Sequence, residues 1–435
     1  MNTRGLSRLG RRTTDPPISW LMQLALDRPE LISLAAGFTD DATLPVQKTQ
    51  NLLNDILGSQ DLSLRALQYG TTCGNNELRR LTCQRLCQMD LMAIDELKSE
   101  TKPDLSIFSP ERTLITNGSQ QLLYLLVEAL CDPGDIILVE DPTYFVFLGI
   151  TQSHNLKCRG ITMQDDGISL EKLEYVLMDL KKKGQLKRLK FLYSVSYFQN
   201  PSGITTSCVK KRGIARLLRE YEKAAGHPIY LLEDGAYREL RFAGADVPSA
   251  LALEGSSERI VYAGTYSKPF ATGIKIGYGI IPEPLFSVIK RIKGNHDFGS
   301  ASFLQVLLAK ALALGDYSEH VRMLRERYIS KSNVMIRAMR NYFPRFTHYS
   351  EPKGGLYIWA RLPETMKTGR SSPLFNDALN AGVLYVPGGY CYAEDASRIV
   401  SDSEMRLSFG QANEEQMQEG IKRLGTVIHK HSNCR

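Results

Sequence analysis

Thr265-Tyr266-Ser267-Lys268 closes the apolar run Ile260-Val261-Tyr262, which puts a lysine amine at the end of a candidate strand. An amine held there can condense with an aldehyde. Asp234 closes a second run, Tyr230-Leu231-Leu232, with Tyr237 three residues on. A carboxylate in that position keeps a pyridine nitrogen protonated, so that the ring can draw electrons from a substrate carbon. Asn117-Gly118-Ser119-Gln120-Gln121 closes a third run and opens helix-like sequence. Backbone N–H groups at such a helix start, with the Ser119 hydroxyl, make a seat for a phosphate. Asn200, in the turn Asn200-Pro201-Ser202-Gly203, can hydrogen-bond a phenolic oxygen beside Tyr237 and lower the pKa of a neighbouring imine. Tyr144 follows a strand and can stack on a ring. Arg406, a charge between Met405 and Leu407, can grip a carboxylate through two parallel hydrogen bonds. Pyridoxal 5′-phosphate (PLP) is an aldehyde, a pyridine, a phenol and a phosphate at once. Taken singly, each residue also has an ordinary explanation: a surface lysine, a helix N-cap for Asp234, a plain strand-to-helix turn, a packing tyrosine, an outward-facing arginine.

Elements that could bring these residues together are visible along the chain. Between about residues 114 and 281 short apolar runs alternate with helical periodicity, such as Leu170, Leu173, Val176, Leu177 and Leu180. That alternation predicts a mostly parallel sheet covered by helices, an α/β fold. In open sheets of this kind ligands bind beyond the carboxyl ends of the strands. The polar residues named above all follow such ends, so they are expected to share one cleft. Beyond about residue 315 the texture changes. A long charged helix over 316–341 leads to short strands at 354–359, Val383-Leu384-Tyr385-Val386 and Met405–Phe409, then a helix over 414–430. This predicts a smaller α+β domain.

Together these motifs, in this order, resemble the class I/II aminotransferases, PLP enzymes of fold type I. The resemblance runs from about residue 32 to 409. It takes in Gly37, Tyr69-Gly70 with Gly74 and Leu78-Arg79, and Asn117 to Gln121. Pro142-Thr143-Tyr144, Asn200-Pro201-Ser202-Gly203, Asp234 with Tyr237, Ser267-Lys268, Pro352-Lys353-Gly354-Gly355, Pro387-Gly388 and Arg406 complete it. The Ser119-Gln120-Gln121 form of the phosphate turn is closest to the 2-aminoadipate, kynurenine and aromatic branch. The resemblance implies transfer of an amino group between an L-amino acid and a 2-oxo acid. It implies that Lys268 binds PLP and shuttles a proton, Asp234 pairs with the ring nitrogen, and Asn200 and Tyr237 hold the phenolate. Tyr144 would stack on the ring, and Ser119, Gln120, Thr265 and Ser267 would meet the phosphate. Arg406 would clamp the substrate α-carboxylate, with Gly37 and Asn200 beside it. Tyr69 would reach the phosphate of a neighbouring subunit, which implies a homodimer with shared sites. The domains expected are an arm with part of the small domain (1–55), a large PLP-binding domain (56–312) and a C-terminal small domain (313–435).

Two departures from the family pattern stand out. Thr272-Gly273-Ile274-Lys275-Ile276-Gly277 carries Lys275 where the family has a phosphate-binding arginine, trading a planar fork for a point charge. The stretch Ile18-Ser19-Trp20-Leu21-Met22 has no arginine where the aminoadipate-like branch often reads a distal carboxylate, so an apolar or aromatic substrate is expected. A PLP-dependent lyase or decarboxylase is the alternative on the same scaffold, because the Cα bond set perpendicular to the ring decides the chemistry. A PLP-sensing regulator needs a DNA-binding winged helix, for which the roughly 30 residues before the first motif are too few.

Composition narrows the class further. The chain has 435 residues, 43% apolar and 23% charged, enough for two domains around a cleft. No apolar run approaches the roughly 20 residues that cross a bilayer. Lys plus Arg exceed Asp plus Glu by 54 − 47 = 7. The runs Lys181-Lys182-Lys183 and Lys210-Lys211-Arg212 read as solvated helix faces, so neither nucleic acid nor membrane is an expected partner. The eight cysteines (73, 83, 87, 131, 158, 208, 391 and 434) show no zinc spacing with histidine and read as reduced, mostly buried thiols of a cytoplasmic protein. Arg4, Arg8, Arg11 and Arg12 read as a basic terminus rather than a transit peptide, because no apolar face develops among them.

Overall fold

The computed structural model describes residues 4–35, 37–98, 103–253, 257–395 and 398–432. Its strands are β1 (Ile32–Ser33), β2 (Thr113–Asn117), β3 (Ile136–Asp141), β4 (Lys157–Gln164), β5 (Gly167–Ile168), β6 (Leu189–Val195) and β7 (Tyr230–Asp234). They continue with β8 (Ile260–Thr265), β9 (Ile276–Ile280), β10 (His348–Tyr349), β11 (Tyr357–Arg361), β12 (Val383–Leu384), β13 (Val386–Pro387) and β14 (Glu404–Ser408).

Eight strands form one sheet in the order β2-β9-β8-β7-β6-β3-β4-β5. The pairings β4–β3, β3–β6, β6–β7 and β7–β8 are parallel, and the outer three are antiparallel. β3, β7 and β8 are buried along their whole length, as strands covered by helices on both faces must be. That is why each opens on an unbroken apolar run. Register brings their ends level: Val195 pairs with Asp234, Asp234 with Ala263, and Thr265 with Gly277. The chemistry-bearing residues come just at or after these positions.

A second, antiparallel sheet runs β10-β11-β14-β13, with Arg406 opposite both Trp359 and Val386. The long helices Asp316–Tyr342 and Glu414–Ser432 accompany it. The run Val383–Val386, expected as one strand, is two. β12 joins β1, while β13 joins β14. Tyr385 between them turns its hydroxyl to Thr368 O at 2.9 Å, and a buried tyrosine needs such a partner.

The basic run at 210–212 needs a correction. It lies in the helix Cys208–Ala225, whose capping residue Ser207 accepts from Lys210 N. Lys211, however, is in the core. Its ammonium pairs with buried Glu233 at 2.8 Å and donates to Tyr197 Oη at 2.9 Å and Pro248 O at 2.8 Å. A lysine is tolerated there because every donor has a partner. All seven described cysteines are unpaired, and Cys434 lies outside the described residues.

Candidate active site

At the carboxyl edge of the parallel strands a cavity of about 450 Å³ opens toward the antiparallel sheet. Its lining contains Gly37, Ser119, Gln120, Tyr144, Asn200, Asp234, Tyr237, Thr265, Ser267, Lys268, Lys275 and Arg406, so residues spread over 370 positions meet in one place. Tyr69 lies elsewhere. It is 85% exposed, its ring edge-on to Phe298 at 5.8 Å.

Lys268 Nζ donates to Gly37 O at 2.5 Å. Burial holds its pKa below the ordinary lysine value; Tyr357 works the other way, and the positive charges of Arg406 and Lys275 lower it further. A shift in this direction makes the neutral, nucleophilic form of the amine easier to reach. Asp234 is fully enclosed. Burial raises its pKa to about 6, against hydrogen bonds from Ala236 N at 3.0 Å and Tyr193 Oη at 2.9 Å. Those two donors fix the carboxylate; it caps a turn, not an α-helix, and faces the cavity. Tyr237 Oη is 3.1 Å from Tyr357 Oη. Arg406, 2% exposed, donates from Nη1 to Asn200 Oδ1 at 2.8 Å and from Nη2 to Ala35 O at 2.6 Å, while its Nε is buried without a partner. Its guanidinium lies 4.2 Å from the Tyr357 ring centroid and 5.4 Å from that of Phe145. A buried cation with an unused donor is poised for an anion.

The other end of the cavity is shaped by backbone. The helix Gly118–Leu130 starts there, and Gly118 has φ +66°. A side chain at Gly277 would collide with Gly118 C and Ser119 N at 2.3 Å, so β9 can approach the helix start only as glycine. Lys275, itself at φ +51°, brings Nζ within 3.5 Å of where a Gly118 methyl would stand. N–H groups, the Ser119 hydroxyl and an ammonium converge here: a seat for a dianion. A lysine, an aspartate and a phosphate seat on three adjacent elements, with a buried arginine facing them, is the arrangement of the family whose model, Aminotransferase class I and II, matches residues 29–424.

The chain belongs to the class I and II aminotransferases. It is 32% identical over 404 residues to aromatic-amino-acid aminotransferase 1 of Thermococcus litoralis, covering 93% of this chain and 89% of the relative. A kynurenine aminotransferase structure from Pyrococcus horikoshii superimposes with a TM-score of 0.86 at 29% identity, covering 98% of both chains. The α-aminoadipate aminotransferase of Thermus thermophilus, solved with N-(5′-phosphopyridoxyl)-L-leucine, gives 0.80 at 26% over 98% of both. The aminotransferase moves amino groups between an amino acid and a 2-oxo acid, and its cofactor is PLP. The residues present fit that cofactor: the Gly118–Ser119 cradle for the phosphate, Asp234 for the ring nitrogen, Lys268 for the aldehyde.

Several lining residues of this aminotransferase escaped the sequence reading: Tyr357, Phe145, Val146 and Phe38; Ile18 and Met22 belong to the stretch already read as facing the substrate side chain. Tyr357 sits in β11 opposite Ser408, two residues along β14 from Arg406, hence on the same face. Its only sequence signal is an aromatic just after Gly354-Gly355, and the pairing that makes it a site residue is not written locally. Glu140 was missed too. It accepts from Ser194 Oγ at 2.6 Å, Val195 N at 2.9 Å and Gln199 Nε2 at 2.6 Å, and burial raises its pKa to about 7.

Proposed function

We propose that this aminotransferase takes amino acids with apolar or aromatic side chains. One observation carries the reading. Among the described residues the only cations lining the cavity are Lys268, Lys275 and Arg406, and each has a role near the cofactor or the α-carboxylate. The helix Pro17–Asp27 contributes Ile18, Ser19 and Met22, joined by Phe38 and Val146. A second carboxylate on the substrate would meet no counter-charge and would lose its hydration. In the half-reaction with single amino acids, kcat/KM for leucine or phenylalanine is expected to exceed that for 2-aminoadipate at least about tenfold, a difference of about 1.4 kcal/mol. A preference for 2-aminoadipate sinks the reading.

The contacts support the following division of labour. PLP, when bound, supplies an electron sink conjugated with the substrate Cα. Lys268 Nζ holds the cofactor and then moves the proton at Cα. Asp234, oriented by Tyr193 and the Ala236 N–H, would face the ring nitrogen and keep it protonated. Asn200 gives its Oδ1 to Arg406, which leaves its amide N–H groups to donate to the phenolic oxygen beside Tyr237. Tyr144, lining the same cavity, would stack on the ring. Ser119, Gln120, Thr265, Ser267 and Lys275 would hold the phosphate, and Arg406 with Gly37 and Asn200 would receive the α-carboxylate end. Tyr69 of a second copy completes the phosphate seat, so the working unit is a homodimer. The domain limits 1–55, 56–312 and 313–435 belong to the same proposal, supported by the β1–β12 pairing, which ties residues 32–33 to the C-terminal part. Unpaired cysteines support a cytoplasmic location.

A further inference from the structure

We propose that Tyr357 is a positioning residue with two holds: its hydroxyl fixes Tyr237 against the cofactor's phenolic oxygen, and its ring fixes Arg406 against the substrate carboxylate. The first hold rests on the reading that Tyr237 meets that oxygen. Both tyrosines are buried, their rings edge to face at 5.6 Å and their hydroxyls 3.1 Å apart. Neither hydroxyl has another hydrogen-bond partner among the described residues. A phenolic hydroxyl has one proton to give and lone pairs to receive. When Tyr237 gives its proton to the cofactor, its oxygen is left to accept the proton of Tyr357. The relay then runs one way, from Tyr357 to Tyr237 to the phenolic oxygen, and each bond polarises the next.

The backbone holds the pair in register. Just past Tyr237, Leu240 O accepts from Gly355 N at 3.1 Å, and Phe242 N donates to Lys353 O at 3.0 Å. Gly355 sits at φ +70°, where a side chain would be strained. On its other flank Tyr357 pairs with Ser408 in β14, and its ring centroid lies 4.2 Å from the Arg406 guanidinium, within cation–π range. Room for the hydroxyl comes from Gly37. A Cβ there would stand 2.7 Å from Tyr357 Oη, while the Gly37 carbonyl receives Lys268 Nζ. The other titratable or charged groups in this corner are Tyr144 after β3, Asp234 ending β7, Lys268 and Lys275 between β8 and β9, and Arg406 on β14. Among the described residues only Tyr357 hydrogen-bonds the Tyr237 hydroxyl.

Titrating the absorption of the holoenzyme with pH gives the pKa of the Lys268 imine. Donors to the phenolic oxygen lower that pKa. Tyr357→Phe should therefore raise it by about half a pH unit, and Tyr237→Phe by more. In the Tyr237→Phe background, Tyr357→Phe should add nothing, because the relay is already cut. The second hold is read from the dissociation constant of an unreactive carboxylate, 3-phenylpropionate. Tyr357→Phe keeps the ring and should leave that constant within about twofold, whereas Tyr357→Leu should raise it by about three- to tenfold. An imine pKa unmoved in Tyr357→Phe, or raised equally with and without the Tyr237 hydroxyl, overturns the relay. Equal affinity for 3-phenylpropionate in the phenylalanine and leucine variants overturns the hold on Arg406. An imine pKa unmoved in Tyr237→Phe itself shows that Tyr237 does not meet the phenolic oxygen, and the relay falls with that reading.

Discussion

Arg406 spends two of its nitrogens inside the protein, on Asn200 Oδ1 and Ala35 O, and keeps Nε free in a buried place. The internal contacts fix the guanidinium plane before substrate arrives, so little ordering cost is left for binding. Arg406→Ala should therefore cost about 2 to 5 kcal/mol of transition-state binding across several amino acids, read as kcat/KM. Arg406→Lys should be nearly as poor, because an ammonium cannot satisfy Asn200, Ala35 and a carboxylate in one plane. A loss of only a few-fold would move the carboxylate site elsewhere. Lys275 poses the opposite case, a point charge where the family resemblance implies a fork. It reaches the Gly118 turn, so Lys275→Arg should slow PLP loss on dialysis by about tenfold, some 1 to 2 kcal/mol. Unchanged or faster loss would show that the αL position of Lys275 has shaped the seat to an ammonium.

Glu140 works through elements rather than on the substrate. It ends β3, and its two oxygens collect Ser194 and Val195 from β6 and Gln199 from the following turn. Gln199 in turn accepts from Ser202 N and Oγ and donates to Pro142 O, so the Asn200–Pro201 turn is tied to both strands. Burial raises the folded-state pKa of Glu140 to about 7, above its ordinary 4.5. Between those values the native state keeps a proton that the unfolded chain has released. The stability this gives is present at low pH and is lost as pH rises through 7, on the order of 3 kcal/mol. Glu140→Gln keeps an acceptor for Val195 and Gln199 and removes the charge. Its Tm should exceed that of the wild type at pH 8.5 and converge with it only below the unfolded value, by about pH 4; the reverse order would show Glu140 to be ionised and paired. This buried network also marks the limit of what could be read in the sequence. Lys268, Asp234, Asn200 and Arg406 were legible because each is a polar residue following or interrupting an apolar run. Glu140 reads like one more strand-ending acid, and Lys211 like one more solvated lysine. What distinguishes them is a partner distant in sequence, Ser194, Val195 and Gln199 for Glu140 and Glu233 for Lys211, set by sheet order. The split of Val383–Val386 into two strands was hidden for the same reason: four apolar residues say "buried", not in which sheet.

At the scale of the whole molecule the single chain leaves Tyr69 stranded. Its ring is 85% exposed beside Phe298, itself 59% exposed, and Leu64 and Leu67 on the neighbouring helix Gln60–Leu67 are exposed as well. Adjacent large apolar side chains in water are costly and suit a surface that a second copy covers. In the proposed homodimer each site joins Lys268 of one chain to Tyr69 of the other, and that geometry has an arithmetic consequence. Co-expressed Lys268→Ala and Tyr69→Phe chains make heterodimers with one doubly defective site and one intact site. With random pairing about a quarter of all sites are then intact, so activity should recover to about that fraction although each parent is impaired. If Tyr69 served its own chain, every site in the mixture would carry one defect or the other and nothing would be regained. Activity no higher than the average of the two parents, or a monomer by light scattering at working concentration, would return Tyr69 to the surface as an ordinary exposed residue.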